Sequence, residues 1–254
     1  MAYEHGRQVG KAEDGASTKA EDMAGEGIVV LDTETTGLNP KKDEVLSLAI
    51  VDGDGNKLFY HLIKPLHRKR WSDASEVNGI EWNDVKDEME LEYYADEIQE
   101  ILKGADVLVG YNLIFDLEML SASGLSGMNL PDEIKTFDVM LEYSRIHGVY
   151  SERKGENLWA KLEKCAKHYG YEFQLHNALE DAKATAYCYH ALLADTKYVE
   201  HNGHNKEQKQ RQRQKQSNIG FVVLALGVIS LFLNGIIGII LMIVGIVILL
   251  GRFD

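Results

Sequence analysis

Apolar and polar positions follow two different periods along this chain. Ile28-Val29-Val30-Leu31 is a short continuous apolar run, the pattern of a strand buried on both faces. Val45 to Val51 predicts a second strand and Leu58 to Ile63 a third, stopped by Pro65. Between them, Asp52-Gly53-Asp54-Gly55-Asn56 reads as a hairpin turn. The period then lengthens. Leu91, Ala95, Ile98 and Leu102 recur at helical spacing, and Gly104 closes that helix. Val107-Leu108-Val109-Gly110 predicts a fourth strand, running into Asn112 as the N-cap of a helix through Leu120. Thr136-Phe137-Asp138 predicts a fifth, edge-like strand, and Leu158 to Tyr169 and Asn177 to Leu193 predict helices. Three strands joined by turns, then strands alternating with helices, point to an α/β fold on a mixed five-stranded sheet flanked by helices.

The two ends read differently from this body, residues 27–194. Residues 1–26 have no apolar period and are expected to be a disordered arm, with no signal-peptide pattern. Residues 195–217 are polar and rich in Gln, Lys and Arg, a helical or flexible juxtamembrane linker. From Ile219 to Leu250 there are 32 residues without a charge, so residues 218–251 read as a membrane segment. A straight helix of that length would measure about 48 Å against a hydrocarbon core of about 30 Å. Asn234-Gly235 at its middle is a turn signal. Two readings stay open: one tilted transmembrane helix, or a helical hairpin of two short arms, which spares Asn234 a place at mid-bilayer. Lys206, Lys209, Arg211, Arg213 and Lys215 place the body on the cytoplasmic side under either reading.

Composition narrows the class. Of 254 residues, 45% are apolar and 26% charged, which excludes collagen-like, cysteine-scaffold and wholly disordered chains. The two cysteines, Cys165 and Cys188, make neither a disulfide framework nor a zinc site and read as buried, reduced thiols of a cytoplasmic protein. The net charge of −13 is unevenly spread: Lys206 to Lys215 carries +4 and the tail beyond it none, so residues 1–205 carry −17. Such a body does not grip nucleic acid by surface charge alone. Its acidity is either a solvated face or a carboxylate site for a divalent metal.

The acidic residues favour a site. Asp32 and Glu34, in Asp32-Thr33-Glu34-Thr35-Thr36-Gly37, are two apart in a strand and point to one face at its end. Two carboxylates there need a cation to neutralise them, unless the strand end is simply solvated. Asp116 lies one helical turn beyond Asn112, after the fourth strand, where α/β sheets collect ligands; alone it also suits a helix dipole. Asn177 and Glu180 have capping-box spacing, which leaves His176 in the preceding loop and Asp181 on the new helix. Alone, His176 reads as a surface histidine. Together, four carboxylates and one histidine at strand ends and helix starts suit Mg²⁺ or Mn²⁺ rather than zinc. Two such ions about 3.5–4 Å apart form a clamp for phosphoryl displacement, with a loop histidine as general base.

Asp32-x-Glu34-Thr-Thr-Gly, Asn112-x-x-Phe115-Asp116 and His176-x-x-x-x-Asp181 resemble, in order and spacing, the three motifs of the DEDDh 3'→5' exonuclease family, which has an RNase H-like fold. The resemblance runs from about Gly27 to Leu193. It implies that Asp32, Glu34, Asp116 and Asp181 hold two Mg²⁺ or Mn²⁺ ions and that His176 is the base. It further implies that Thr35, Thr36, Gly37 and Asn112 contact the terminal nucleotide, that Phe115 packs beneath the site, and that Asp138 is structural. Tyr111 and Asn78 stand where relatives carry histidine, which bears on substrate preference. The expected protein is a membrane-anchored, metal-dependent 3'→5' exonuclease releasing nucleoside 5'-monophosphates from single-stranded or frayed 3' ends of DNA or RNA. The sequence contains no polymerase domain, so proofreading would need a partner. The alternative is a catalytically silent, membrane-tethered nucleic-acid-binding module.

Overall fold

The computed structural model describes residues 27–125, 134–153 and 155–234, with 243 and 246; at 156, 225 and 227–234 only the backbone is described. The expected arm over 1–26 and the second half of the expected membrane segment lie almost wholly outside the described residues.

The expected mixed five-stranded sheet is present. β1 (Ile28–Thr35), β2 (Val45–Asp52) and β3 (Lys57–Leu62) form an antiparallel meander, while β4 (Val107–Gly110) and β5 (Lys135–Asp138) run parallel to β1. The order is β3-β2-β1-β4-β5, which makes β1 the central strand and β5 an edge. The turn between β2 and β3 is tied by the Asp52 carboxylate, which accepts the Asp54 and Asn56 N–H groups at 3.0 and 2.8 Å. Helices follow in chain order: α1 (Ser72–Asn78), α2 (Trp82–Val85), a 3₁₀ turn (Leu91–Tyr94), α3 (Ala95–Lys103), α4 (Leu113–Leu120), α5 (Val139–His147), α6 (Leu162–His168), α7 (Ala178–Ala194) and α8 (Thr196–Asn234). A small hairpin, β6 (Tyr150–Ser151) and β7 (Glu156–Asn157), lies between α5 and α6.

The alternation of β1 divides the core into two layers. Ile28 and Val30 pack with Ala178, Ala182, Ala186 and Tyr189 of α7. Val29 and Leu31 pack with Ile98 and Leu102 of α3 and with Leu113, Met119 and Leu120 of α4. With both faces covered, the carboxyl end of β1 is the place where its last side chains can leave the core. There the pairing register to β2 slips between Glu34 and Thr35, a bulge that bends the strand next to the acidic pair.

Three expectations change. The helix expected from Leu158 begins only at Leu162. Leu158 donates its N–H to Val149 O (2.8 Å), and Ala160 N–H goes to Ser144 Oγ (3.0 Å), so this backbone belongs to the β6–β7 hairpin and its exit. Asn112 is not the side-chain cap of α4. It sits in the left-handed region (φ 68°), which asparagine tolerates, and makes no cap bond. The Asp138 carboxylate at the end of β5 serves instead, accepting the Asn112 and Leu113 N–H groups at 3.1 and 3.0 Å. Asp138 is thus structural, and it also caps α5 through Leu141 N–H. The capping box at Asn177 is half present: Asn177 Oδ1 accepts the Leu179 and Glu180 N–H groups, but Glu180 takes Lys183 at 2.8 Å.

Cys165 and Cys188 are both buried and free, and they meet across α6 and α7 through a thiol hydrogen bond. The chain divides into a compact unit ending at Tyr198 and a second from Val199. The stretch expected as a linker is helical in α8, which enters the apolar run and is described as far as Asn234. Among the described residues no helix is long and apolar enough to cross a membrane.

Candidate active site

The site is assembled by three elements. β1 supplies Asp32 and Glu34 on one face, α4 supplies Asp116 one turn from its start, and α7 supplies Asp181 in its first turn. His176 precedes α7, exposed and with a backbone φ of 63°. Possible ligand atoms of Glu34, His176 and Asp181 all lie within 4.8 Å of one another. Asp32 joins them electrostatically: its neighbours are the charges of Asp116, Asp181 and Glu34.

Burial and mutual repulsion dominate this cluster. Enclosure first, then the three neighbouring carboxylates, push Asp32 well above the usual carboxylate range. Glu34 is raised to about 7 by burial and Asp181, against a hydrogen bond from Asn78. Asp116 is raised to about 7 by burial, opposed by Thr33, whose hydroxyl and N–H donate to Oδ1 at 2.6 and 3.1 Å. Asp181 is also raised to about 7, by burial, opposed by the His176 N–H. Its Oδ1 is buried without a hydrogen-bond partner. An orphaned oxygen among carboxylates that resist ionisation fits a divalent cation, and oxygen-rich donors suit Mg²⁺ or Mn²⁺.

A cleft of about 1030 Å³ opens beside the carboxylates, lined by Glu34, the Thr35–Gly37 turn, Arg68–Trp71, Asn78 and Trp82 among others. The Thr35 hydroxyl donates to Gly37 O (2.7 Å) and the Thr36 hydroxyl to Asp43 Oδ1 (3.2 Å), so both hydroxyls are spent within the turn. What this turn offers a ligand is backbone. Gly37 is required sterically: a Cβ there would lie 2.5 Å from Asp43 Oδ2. Asn112 is the one expected substrate contact that does not line this cleft.

Sequence reasoning missed Thr33, Glu44 and Arg68, and it gave Asn78 a bearing on substrate preference without the bonds it makes. Thr33, between the two acidic residues, faces the other way and orients Asp116. Asn78 donates to Thr35 O (3.2 Å) and to the Glu34 side chain, while its Oδ1 accepts Ile80 N–H. Glu44 accepts three successive N–H groups, from Leu66, His67 and Arg68, at 2.7 to 3.1 Å, which fixes the start of the basic run Arg68-Lys69-Arg70. Arg68 is then bound to Asp43 and the Thr36 carbonyl. The signals available were the acidic Asp43-Glu44 pair and this cationic run in an acidic body.

Comparison with known proteins agrees with this geometry. Residues 29–189 match the family model described as Exonuclease (RNase_T). DNA polymerase III PolC-type of Lacticaseibacillus paracasei is 33% identical over 181 residues, covering 67% of this chain and 12% of the polymerase. That of Thermotoga maritima is 30% identical over 161 residues, covering 62% and 11%. A crystal structure of E. coli exonuclease I with a dA16 oligonucleotide superimposes with a TM-score of 0.54 at 18% identity, covering 68% of this chain and 42% of that one. The chain therefore spans about an eighth of these polymerases and about two fifths of exonuclease I.

Proposed function

This chain belongs to the exonuclease family, and we propose that it is a metal-dependent 3'→5' exonuclease, releasing nucleoside 5'-monophosphates from single-stranded or frayed 3' ends of DNA or RNA. The observation that carries this reading is the buried, partnerless Oδ1 of Asp181 beside Glu34 and His176, in a cluster whose other carboxyls are pushed towards neutrality. Asp32, Glu34, Asp116 and Asp181 would hold two Mg²⁺ or Mn²⁺ ions. When bound, the ions lower the pKa of water and neutralise charge building on the phosphate. His176, exposed at the mouth of the cluster, takes the proton from the attacking water as general base. The Thr35–Gly37 turn seats the terminal nucleotide through its backbone. Asn78 donates both to the Glu34 side chain and to the Thr35 carbonyl, which fixes that turn beside the carboxylates. A splayed single strand fits such a site because its last base must leave the stack.

The test is a product assay with the full chain on matched DNA and RNA oligonucleotides, with Mg²⁺ or Mn²⁺. The expected result is stepwise release of 5'-mononucleotides from the 3' end, lost on chelation. His176→Ala should lower turnover by roughly 10²–10⁴ while metal affinity survives. Tight oligonucleotide binding without product would favour the silent binding module instead.

Membrane attachment through residues 218–251, with the exonuclease domain facing the cytoplasm, is part of this proposal and rests on the sequence: an uncharged run of 32 residues preceded by five cations. Alkaline extraction of membranes checks it. Release of the full chain into the soluble fraction would remove the anchor from the proposal. A tag after Asp254, reached by protease from outside intact cells, would select the single span over the hairpin. A separate polymerase partner is proposed only so far as the PolC-type relatives join such a domain to a polymerase.

A further inference from the structure

Three helices of the exonuclease unit end at one point, away from the carboxylate cluster. His147 is the last residue of α5, His168 is the last of α6, and Asp195 is the C-cap of α7. Asp195 lies fourteen positions along from Asp181, a distance of about 21 Å at 1.5 Å per residue. His147 Nε2 is 2.7 Å from Asp195 Oδ2, and the two imidazole rings are 4.4 Å apart. One possible ligand atom from each of the three residues lies within 4.8 Å of the other two. An ion pair between His147 and Asp195 does not need His168. Yet His168 stands against it with ring contacts and, among the described residues, no hydrogen bond.

We propose that His147, His168 and Asp195 form a second metal site, for a transition-metal dication of the zinc class, distinct from the catalytic cluster. Two imidazole nitrogens and one carboxylate oxygen are the donor set of a four-coordinate site with one position left to water. That set favours Zn²⁺ or Co²⁺ over Mg²⁺, which prefers oxygen alone. The surroundings fit a cation. Three helix carboxyl ends, each carrying partial negative charge, converge on it. Asp195 is already oriented from behind: Tyr169 donates its hydroxyl to Oδ2 at 3.0 Å, and Lys197 donates its N–H to Oδ1 at 2.8 Å. Tyr143 packs against both imidazoles, with centroids at 5.1 and 5.6 Å. His147 and Asp195 are 9% and 11% exposed and bonded to each other, whereas His168 is exposed, so an ion reaches the three side chains from solvent on the His168 side. The bound ion would pin the ends of α5, α6 and α7 where the chain enters α8.

The experiment is a titration of the metal-stripped full chain with Co²⁺ under excess Mg²⁺, followed by visible d–d absorption and by calorimetry with Zn²⁺. The expected result is one four-coordinate Co²⁺ per chain and a Zn²⁺-dependent rise in Tm. Both should disappear in His168→Gln, which alters an exposed side chain and should leave Mg²⁺-dependent mononucleotide release unchanged. Tyr169→Phe should weaken Zn²⁺ about 10–100-fold. The proposal is overturned if the wild-type chain binds no Co²⁺ under these conditions. It is equally overturned if His168→Gln keeps the signal, or if Asp181→Asn abolishes it, because the ion then sits on the catalytic carboxylates.

Discussion

Two acidic pairs stand nine residues apart in the sequence and meet opposite fates. Asp43 and Glu44, entering β2, are 8% and 6% exposed. Asp43 accepts Thr36 Oγ1, Asn39 N–H and Arg68, and Glu44 accepts three backbone N–H groups. Asp32 and Glu34, leaving β1, meet other carboxylates instead, relieved only by Asn78 on Glu34. Burial does not explain the difference, since the well-partnered pair is the more buried one and Asp32 and Glu34 are half-buried. Partnership does: one pair is complete within the chain, and the other faces further carboxylates, with Asn78 its one relieving partner. The first shapes the cleft wall, and the second belongs to the cluster proposed to hold the metal ions. A buried carboxylate that folding leaves unsatisfied is therefore the better indicator of function.

The strongest way to break this contrast is Asp32→Ala. Turnover should fall by about 10⁴-fold, the several kcal/mol that metal-ion catalysis supplies at 1.36 kcal/mol per decade. The metal-free fold should survive and gain stability, because a buried like charge is gone. Oligonucleotide hydrolysis and urea unfolding measure both. Near-normal turnover, or a less stable metal-free fold, would sink the division into chemical and structural carboxylates.

The next test uses pH. Folded Glu34, Asp116 and Asp181 each titrate at about 7, against about 4 when unfolded. Between those values the folded chain holds protons that the unfolded chain has released. The metal-free protein is thus stabilised at low pH and loses that stability as pH rises through about 7. One carboxyl moved by three pH units corresponds to about 4 kcal/mol, an upper bound for each because the groups titrate against one another. Mg²⁺ binds the ionised form, so it should raise Tm strongly at pH 8 and little at pH 5. An equal Mg²⁺ effect at both values would detach the raised carboxyls from the metal site.

Much of this contrast was legible in the sequence, and the rest was hidden for identifiable reasons. The strands were readable because Ile28–Leu31 and Val107–Val109 are unbroken apolar runs and Val45–Val51 is interrupted only by Ser47. Asp32 and Glu34 stood out where the first of these runs ends, and Asp116, His176 and Asp181 stood out at helix starts. Helix α1 was not readable because it buries no residue, so it has no apolar stripe. Thr33 and Glu44, and the bonds that Asn78 makes, were missed because the partners lie 83, 22 or more, and 43 positions away. Thr35 and Thr36 were expected to touch substrate, but nothing local shows that a hydroxyl is already committed to Gly37 or Asp43. Asn112 looked like a cap by composition, and only the arrival of β5 beside β4 brings Asp138 to replace it. Pattern reads burial well, whereas partnership across the sheet needs three dimensions.

The smallest effect gives the sharpest discrimination, because one chemical change is applied to each pair. Glu44→Gln replaces a carboxylate oxygen by an NH₂ that faces the Leu66, His67 and Arg68 N–H groups, so at least one buried donor loses its acceptor. Stability should fall by about 1–3 kcal/mol. Arg68 at the cleft should loosen, which raises KM for oligonucleotides more than it lowers kcat. Glu34→Gln removes the same charge from the other pair. There it relieves repulsion from Asp32 and Asp181, so the metal-free protein should become more stable at pH 8 even as hydrolysis is lost. The two Glu→Gln variants should therefore shift the unfolding midpoint in opposite directions. If both shifts have the same sign, the two pairs differ in chemistry alone, and partnership within the chain does not distinguish a structural carboxylate from a catalytic one.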